Sequence, residues 1–149
     1  MRKIEVLKFE VEHLKDLNEQ HATARHRIYV RPEQLQFVAM NSRFAYTVKV
    51  NSRTVLCAGV LEYWPGRGEA WALFDESCRH EFISVHNVVK RFLKMCPVRR
   101  IEAMVDLDFP QGHKWISALG FQLEAPRMKA YRQDGGDVAL YALVREELG

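Results

Sequence analysis

The feature that most restricts how this chain can fold is a change of period part-way along it. Phe44, Tyr46, Val48 and Val50 alternate with Ala45, Thr47 and Lys49, the spacing of a half-buried strand. Asn51 and Ser52 make a turn, and Thr54–Tyr63 returns as a second strand rich in Val, Leu and Ala. After the turn Pro65, Gly66, Arg67, Gly68, the segment Ala70–Phe74 is a third. From Phe82 the period becomes helical: Phe82, Val85, Val89 and Phe92 recur every three or four residues until Pro97 ends the pattern. Three successive strands expose an apolar face, and a helix with one apolar stripe is suited to cover it. All four stripe residues are therefore expected to face the sheet.

The flanking segments extend this plan. Ile4 and Val6 read as a short first strand, and the polar stretch carrying Leu14 and Leu17 as a helix. Pro32 suits the first position of another helix, with Leu35, Val38 and Ala39 on one face. Past Pro97, Ile101–Val105 is a short apolar run for a buried strand, and a helix over Gly112–Leu119 stops at Gly120. Phe121–Tyr131 and Val138–Val144 bracket Asp134, Gly135, Gly136 and Asp137, a hairpin signal. The expected order is β-α-α-β-β-β-α-β-α-β-β.

Composition narrows the classes. A length of 149 residues with 48% hydrophobic content suits a single domain over 1–149 with one core. Met1–Val6 mixes charged and apolar residues, and no run approaches the roughly 20 apolar residues of a membrane span, so neither secretion nor insertion is expected. Cys57, Cys78 and Cys96 are widely spaced and read as free thiols of a reducing compartment. The net charge of +3, from 22 basic and 19 acidic residues, does not demand nucleic acid. The clusters Arg25, His26, Arg27, Arg31 and Lys90, Arg91, Lys94, Arg99, Arg100 read as solvated helix faces. His80 and Glu81 begin a His-Glu-x-x-His pattern, but Ser84 stands where the second histidine belongs, so no metal site is expected. Trp64, Trp71 and Trp115 read as packing residues.

The element order, with Trp115–Phe121 (Trp-Ile-Ser-Ala-Leu-Gly-Phe) leading into the sixth strand, resembles the GNAT acyltransferase superfamily across nearly the whole chain. More narrowly, Ala58–Leu73, Arg99–Val105 and Gly120–Met128 resemble GNAT-like proteins of tailed bacteriophages, including the internal core protein of short-tailed phages. The resemblance implies an α/β (α+β) fold with a central mixed, mostly antiparallel sheet of about seven strands and helices on both faces. It also implies a V-shaped opening between the fourth and fifth strands that holds the pantetheine of an acyl-CoA. Acetyl-CoA would be the cofactor of an active enzyme; a structural role requires none. The narrower resemblance implies a virion-associated or assembly component with weak or lost acyl transfer, present in the host cytoplasm during infection and assembled into the virion. Its partners would be other virion proteins, with self-association allowed and neither membrane nor nucleic acid among them. The alternative is an acetyl-CoA-dependent N-acetyltransferase acting on an amine.

Acyl transfer needs amides for the pyrophosphate, a base for the amine and a proton donor for the thiolate. In the family the amides come from a loop, Gln/Arg-x-x-Gly-x-Gly/Ala, at the start of the long helix, where glycine allows close approach and the helix N-terminus favours anions. Here Asp75–Glu81 has no glycine. Ser77, Arg79 and His80 could still meet an anion, together with Trp71 and Leu73 on the preceding strand, while Asp75, Glu76 and Glu81 oppose one; Ser77 also suits a helix N-cap. The tyrosine that often donates the proton falls on Ile116, four residues before Gly120, so His113 is the nearest substitute. Glu62, Glu69 and Glu102, on the central strands, are the candidate bases, Glu62 and Glu102 foremost.

Overall fold

The computed structural model describes residues 3–20, 37, 40–75 and 80–146. Arg25–Arg31, the helix expected from Pro32 through Leu35, Val38 and Ala39, and Ser77, Cys78 and Arg79 lie outside them. In chain order the elements are β1 (Ile4–Lys8), α1 (Val11–Gln20), β2 (Phe44–Val50), β3 (Arg53–Trp64), β4 (Arg67–Phe74), α2 (Phe82–Met95), β5 (Arg100–Asp106), α3 (Pro110–Ala118), β6 (Gln122–Met128) and β7 (Val138–Val144). The seven strands form one sheet, ordered β1-β2-β3-β4-β5-β7-β6. Every neighbouring pair is antiparallel except β4 and β5. A parallel pair needs a crossover, and α2 supplies it.

Local chemistry sets the turns. Asn51 and Ser52 both take left-handed backbone, with φ 49° and 68°, as a two-residue hairpin turn between right-twisted strands requires. Gly120, at φ 101°, ends α3. Its amide donates to the Ser117 carbonyl and the Phe121 amide to that of Ile116, the paired bonds of a glycine-stopped helix. β6 ends at Met128 rather than at the expected Tyr131, because Ala130 turns to positive φ and its amide donates to Asp137.

Strand alternation divides the core. Leu56, Ala58 and Val60 of β3 and Ala72 of β4 pack against Val85, Val89 and Leu93 of α2 and Ile116 of α3. On the opposite face Cys57 and Trp71 pack against Leu14 and Leu17 of α1. Helices therefore cover both faces. The stripe of α2 differs from the expected one at its ends. Phe82 begins the helix, is 46% exposed, and lies against His86 and Trp115 rather than the sheet. Leu93, 5% exposed, takes an inward place that the spacing from Phe82 did not include, and half-buried Phe92 packs on Tyr46. Lys90, Arg91, Lys94 and Arg99 are exposed.

Candidate active site

The parallel pairing of β4 with β5 covers three registers, Arg67 with Arg100, Gly68 with Ile101 and Glu69 with Glu102, and then stops. Beyond Glu69 the two strands diverge into a gap. Which backbone groups face it follows from hydrogen bonds at the two ends of β4. The Asp75 amide donates to the Val55 carbonyl on β3, whereas the Gly66 carbonyl accepts from Arg100, where β5 begins. Strand groups alternate in direction, so the amides and carbonyls of Ala70, Ala72 and Phe74 point into the gap.

This phase sets where two of the expected residues lie. The backbone of Trp71 and Leu73 faces β3, and their side chains join the α1 side. Trp71 is 2% exposed and its indole N–H donates to Ser42 Oγ at 2.7 Å. Neither presents a group to the gap; their neighbours do. His80 is exposed, just ahead of α2. The N-cap residue of α2 is Glu81, which makes no side-chain cap bond. Asp75, expected to repel an anion, is 1% exposed and ion-paired to Arg53, its Oδ2 accepting from Nε at 3.0 Å.

On the α2 and α3 side, the gap backs onto an apolar cavity of ≈ 50 Å³. Ala58, Ala70, Ala72 and Ala103 form its small-residue floor, and Tyr46 and Ile116 stand at its walls. Trp115 closes one side, edge-on to Phe74 with its N–H donating to His86 Nδ1 at 3.2 Å.

On the α1 side, carboxylates gather where the pairing ends. Arg67 donates to Glu102 through Nε and Nη2, both at 2.9 Å, and Arg100 Nε adds a third bond at 2.7 Å. The Arg67 hydrogen bonds hold the Glu102 carboxyl below its ordinary pKa, so it is a poor proton acceptor. Glu69, its neighbour across the pair, differs. Its Oε1 accepts from the Tyr63 hydroxyl at 2.8 Å. Burial raises its pKa more than that bond lowers it, and the charge of Glu102 pushes the same way. Tyr131, from the loop after β6, is close enough to feel both carboxylates. Glu62 is held apart by Arg43 and the Gly66 amide, at 3.4 and 3.3 Å.

His113 is spoken for. Its Nε2 faces the carbonyls of Asp106 and Leu107, at 2.9 and 3.2 Å, and must carry the proton. Nδ1 then accepts from the Tyr141 hydroxyl at 2.7 Å. The ring ties α3 to β5 and β7, and both nitrogens are engaged. Of the three expected bases, Glu69 and Glu102 stand side by side where the pairing ends, and Glu62 does not. Tyr63, Tyr131 and Tyr46 gave no signal beyond being strand or loop aromatics.

No family model matches the chain, and no curated protein does. Solved structures do match. Ard1 from Thermoplasma volcanium superposes with a TM-score of 0.78 at 13% identity, covering 97% of this chain and 99% of that one. A ribosomal-protein acetyltransferase, RimL, solved with coenzyme A, gives 0.68 at 15% identity over 95% and 93% of the two chains. A GNAT-family acetyltransferase from Bacillus anthracis gives 0.64 at 14% identity over 97% and 96%. The fold is therefore GNAT-like, as the sequence resemblance implied.

Proposed function

We propose that this chain binds an acyl-CoA in the gap between β4 and β5 and transfers the acyl group to an amine. One observation carries the reading: the strand edge at Ala70, Ala72 and Phe74 is left open inside an otherwise paired sheet. Interior backbone groups are nearly always paired, and the amide-bearing arm of CoA is a partner of the right shape. The coenzyme A bound to RimL, a protein of the same fold, supports the same assignment.

Glu69 is the base in this reading. Its half-buried carboxyl has a raised pKa, which brings it nearer the operating pH and improves it as an acceptor. Glu102, pinned by two guanidiniums, positions Arg67 and Arg100 instead. The missing loop glycines remove close amide contacts to the pyrophosphate, so the cofactor is held weakly. A second reading, the virion component implied by the phage resemblance, is favoured by Ile116, which puts a hydrocarbon at the usual place of the acid.

The experiment is equilibrium binding of CoA and acetyl-CoA, followed by thiol release with a panel of amines. Ligand at a hundred times its Kd stabilises a fold by about 2.7 kcal/mol, roughly 5 to 11 °C in Tm for a domain of this size. Because binding is weak, millimolar ligand is expected to give a small but saturable shift. No saturable binding at all sinks the transferase reading, and amine-dependent turnover sinks the virion one.

A further inference from the structure

A carboxylate works best as a base when it is held still with one oxygen left free, and what holds Glu69 begins with an irregularity of β3. Leu61 stands opposite Glu69 and Glu62 opposite Gly68, but the next pair is Trp64 with Arg67. Tyr63 is therefore an extra residue with no partner on β4, a bulge. Bulges re-aim side chains and suspend the strict alternation of a strand. Paired residues share a face, so Trp64 lies on the face of Arg67 and Glu69, and Tyr63, two residues after Leu61, lies there as well. Two aromatic neighbours that would otherwise point apart thus come to one face of the sheet.

Arg67 lies over both rings, its Cζ 5.1 Å from the centroid of Tyr63 and 4.7 Å from that of Trp64. The same guanidinium is fixed by its two bonds to Glu102. The tyrosine ring is steadied by a group that is itself anchored, and its hydroxyl donates to Glu69 Oε1 at 2.8 Å. Arg67 so arranges both carboxylates, Glu102 directly and Glu69 through the tyrosine.

We infer that Tyr63 is a positioning residue for Glu69, holding Oε1 so that Oε2 is left to take the proton from the incoming amine; the assignment rests on the acyl-CoA reading above. The step it serves is a proton transfer: an N–H bond of the amine breaks, an O–H bond forms on Oε2, and Glu69 afterwards returns the proton to solvent. The phenol keeps its own proton, because burial and the charge of Glu69 both raise its pKa. Its bond favours the charged carboxylate, against burial and the charge of Glu102. Glu69 is thereby kept ionised to a lower pH than its surroundings alone would allow.

Tyr63→Phe removes the hydroxyl and keeps the ring beside Arg67. The titration of the Glu69 carboxyl, followed by NMR with isotope-labelled glutamate and assigned with Glu69→Gln, is expected to move to higher pH by about half a unit or more, the equivalent of one net hydrogen bond. Tyr131→Phe, which leaves that bond in place, is expected not to move it. Where an amine turns over, the acid limb of kcat/KM is expected to follow the carboxyl, while the Kd for CoA stays at the wild-type value. A tyrosine that only packs the hairpin would shift neither titration nor limb. An unchanged Glu69 midpoint in Tyr63→Phe overturns the positioning role and leaves the acyl-CoA reading intact. If CoA binds and no amine reacts, the titration alone decides. Failure of the wild type to bind CoA overturns both.

Discussion

Leu93→Ala, set against Phe82→Ala, tests the phase of α2. Leu93 is 5% exposed and borders the cavity behind the gap, whereas Phe82 is 46% exposed. The leucine change removes three carbons at about 0.8 kcal/mol each, or about 2.4 kcal/mol of transfer free energy. A residual void as large as the existing cavity, ≈ 50 Å³, adds about 1.2 kcal/mol at roughly 24 cal/mol per Å³. The expected loss is about 3.6 kcal/mol, or roughly 7 to 14 °C in Tm for a domain of this length. Phe82→Ala gives up a surface ring contact and is expected to cost under about 1 kcal/mol. Urea melts read both, as a shift in midpoint at constant slope. A loss below about 1 kcal/mol for Leu93→Ala, or equal losses for the two, would falsify the burial assigned to this helix.

Two carboxylates should respond to pH with opposite sign. The folded-state pKa of Glu102 is lowered, so its stabilisation is present above the unfolded value of about 4.3 and is lost as pH falls through the folded value. Glu102→Gln is expected to destabilise at neutral pH and to cost less in strong acid; a loss independent of pH counts against the ion pairs. The folded pKa of Glu69 is raised, so its contribution is complete below about 4.3 and declines as pH rises through the folded value. Glu69→Gln is therefore expected to gain on the wild type between mildly acidic and neutral pH, and a change in the opposite direction refutes the burial argument. Gly120→Ala meets only Leu143 Cδ1 at 3.7 Å, so its cost is backbone strain at φ 101°, about 1 to 2 kcal/mol. A neutral result in thermal melts would mean that α3 does not need its left-handed stop.

The periods legible in the sequence became elements with nearly the same bounds. Phe44–Val50 and Val138–Val144 coincide with β2 and β7, and the stop at Gly120 is where α3 ends. The gap was legible only as an implication of resemblance. The backbone groups that face it belong to Ala70, Ala72 and Phe74, one residue away from the expected Trp71 and Leu73. Side-chain patterning tells which face a residue occupies, but the direction of its amide depends on partners from other strands, here Val55 and Arg100. The carboxylates were ambiguous for the same reason. Glu69 and Glu102 look alike in sequence, and what separates them is Arg67 and Arg100 on one and Tyr63 on the other.

The short parallel pairing also divides the molecule mechanically. β1 to β4 form one continuous meander, β5 to β7 form another antiparallel unit, and three registers join them. Each unit can assemble from contacts near in sequence, so the seam between them closes late and opens first in native-state hydrogen exchange. A strand-like guest laid along the open edge would stitch the two units together. On the acyl-CoA reading, occupancy of the gap and cooperativity of the whole sheet become one quantity, and exchange along the seam is expected to slow when the gap is filled.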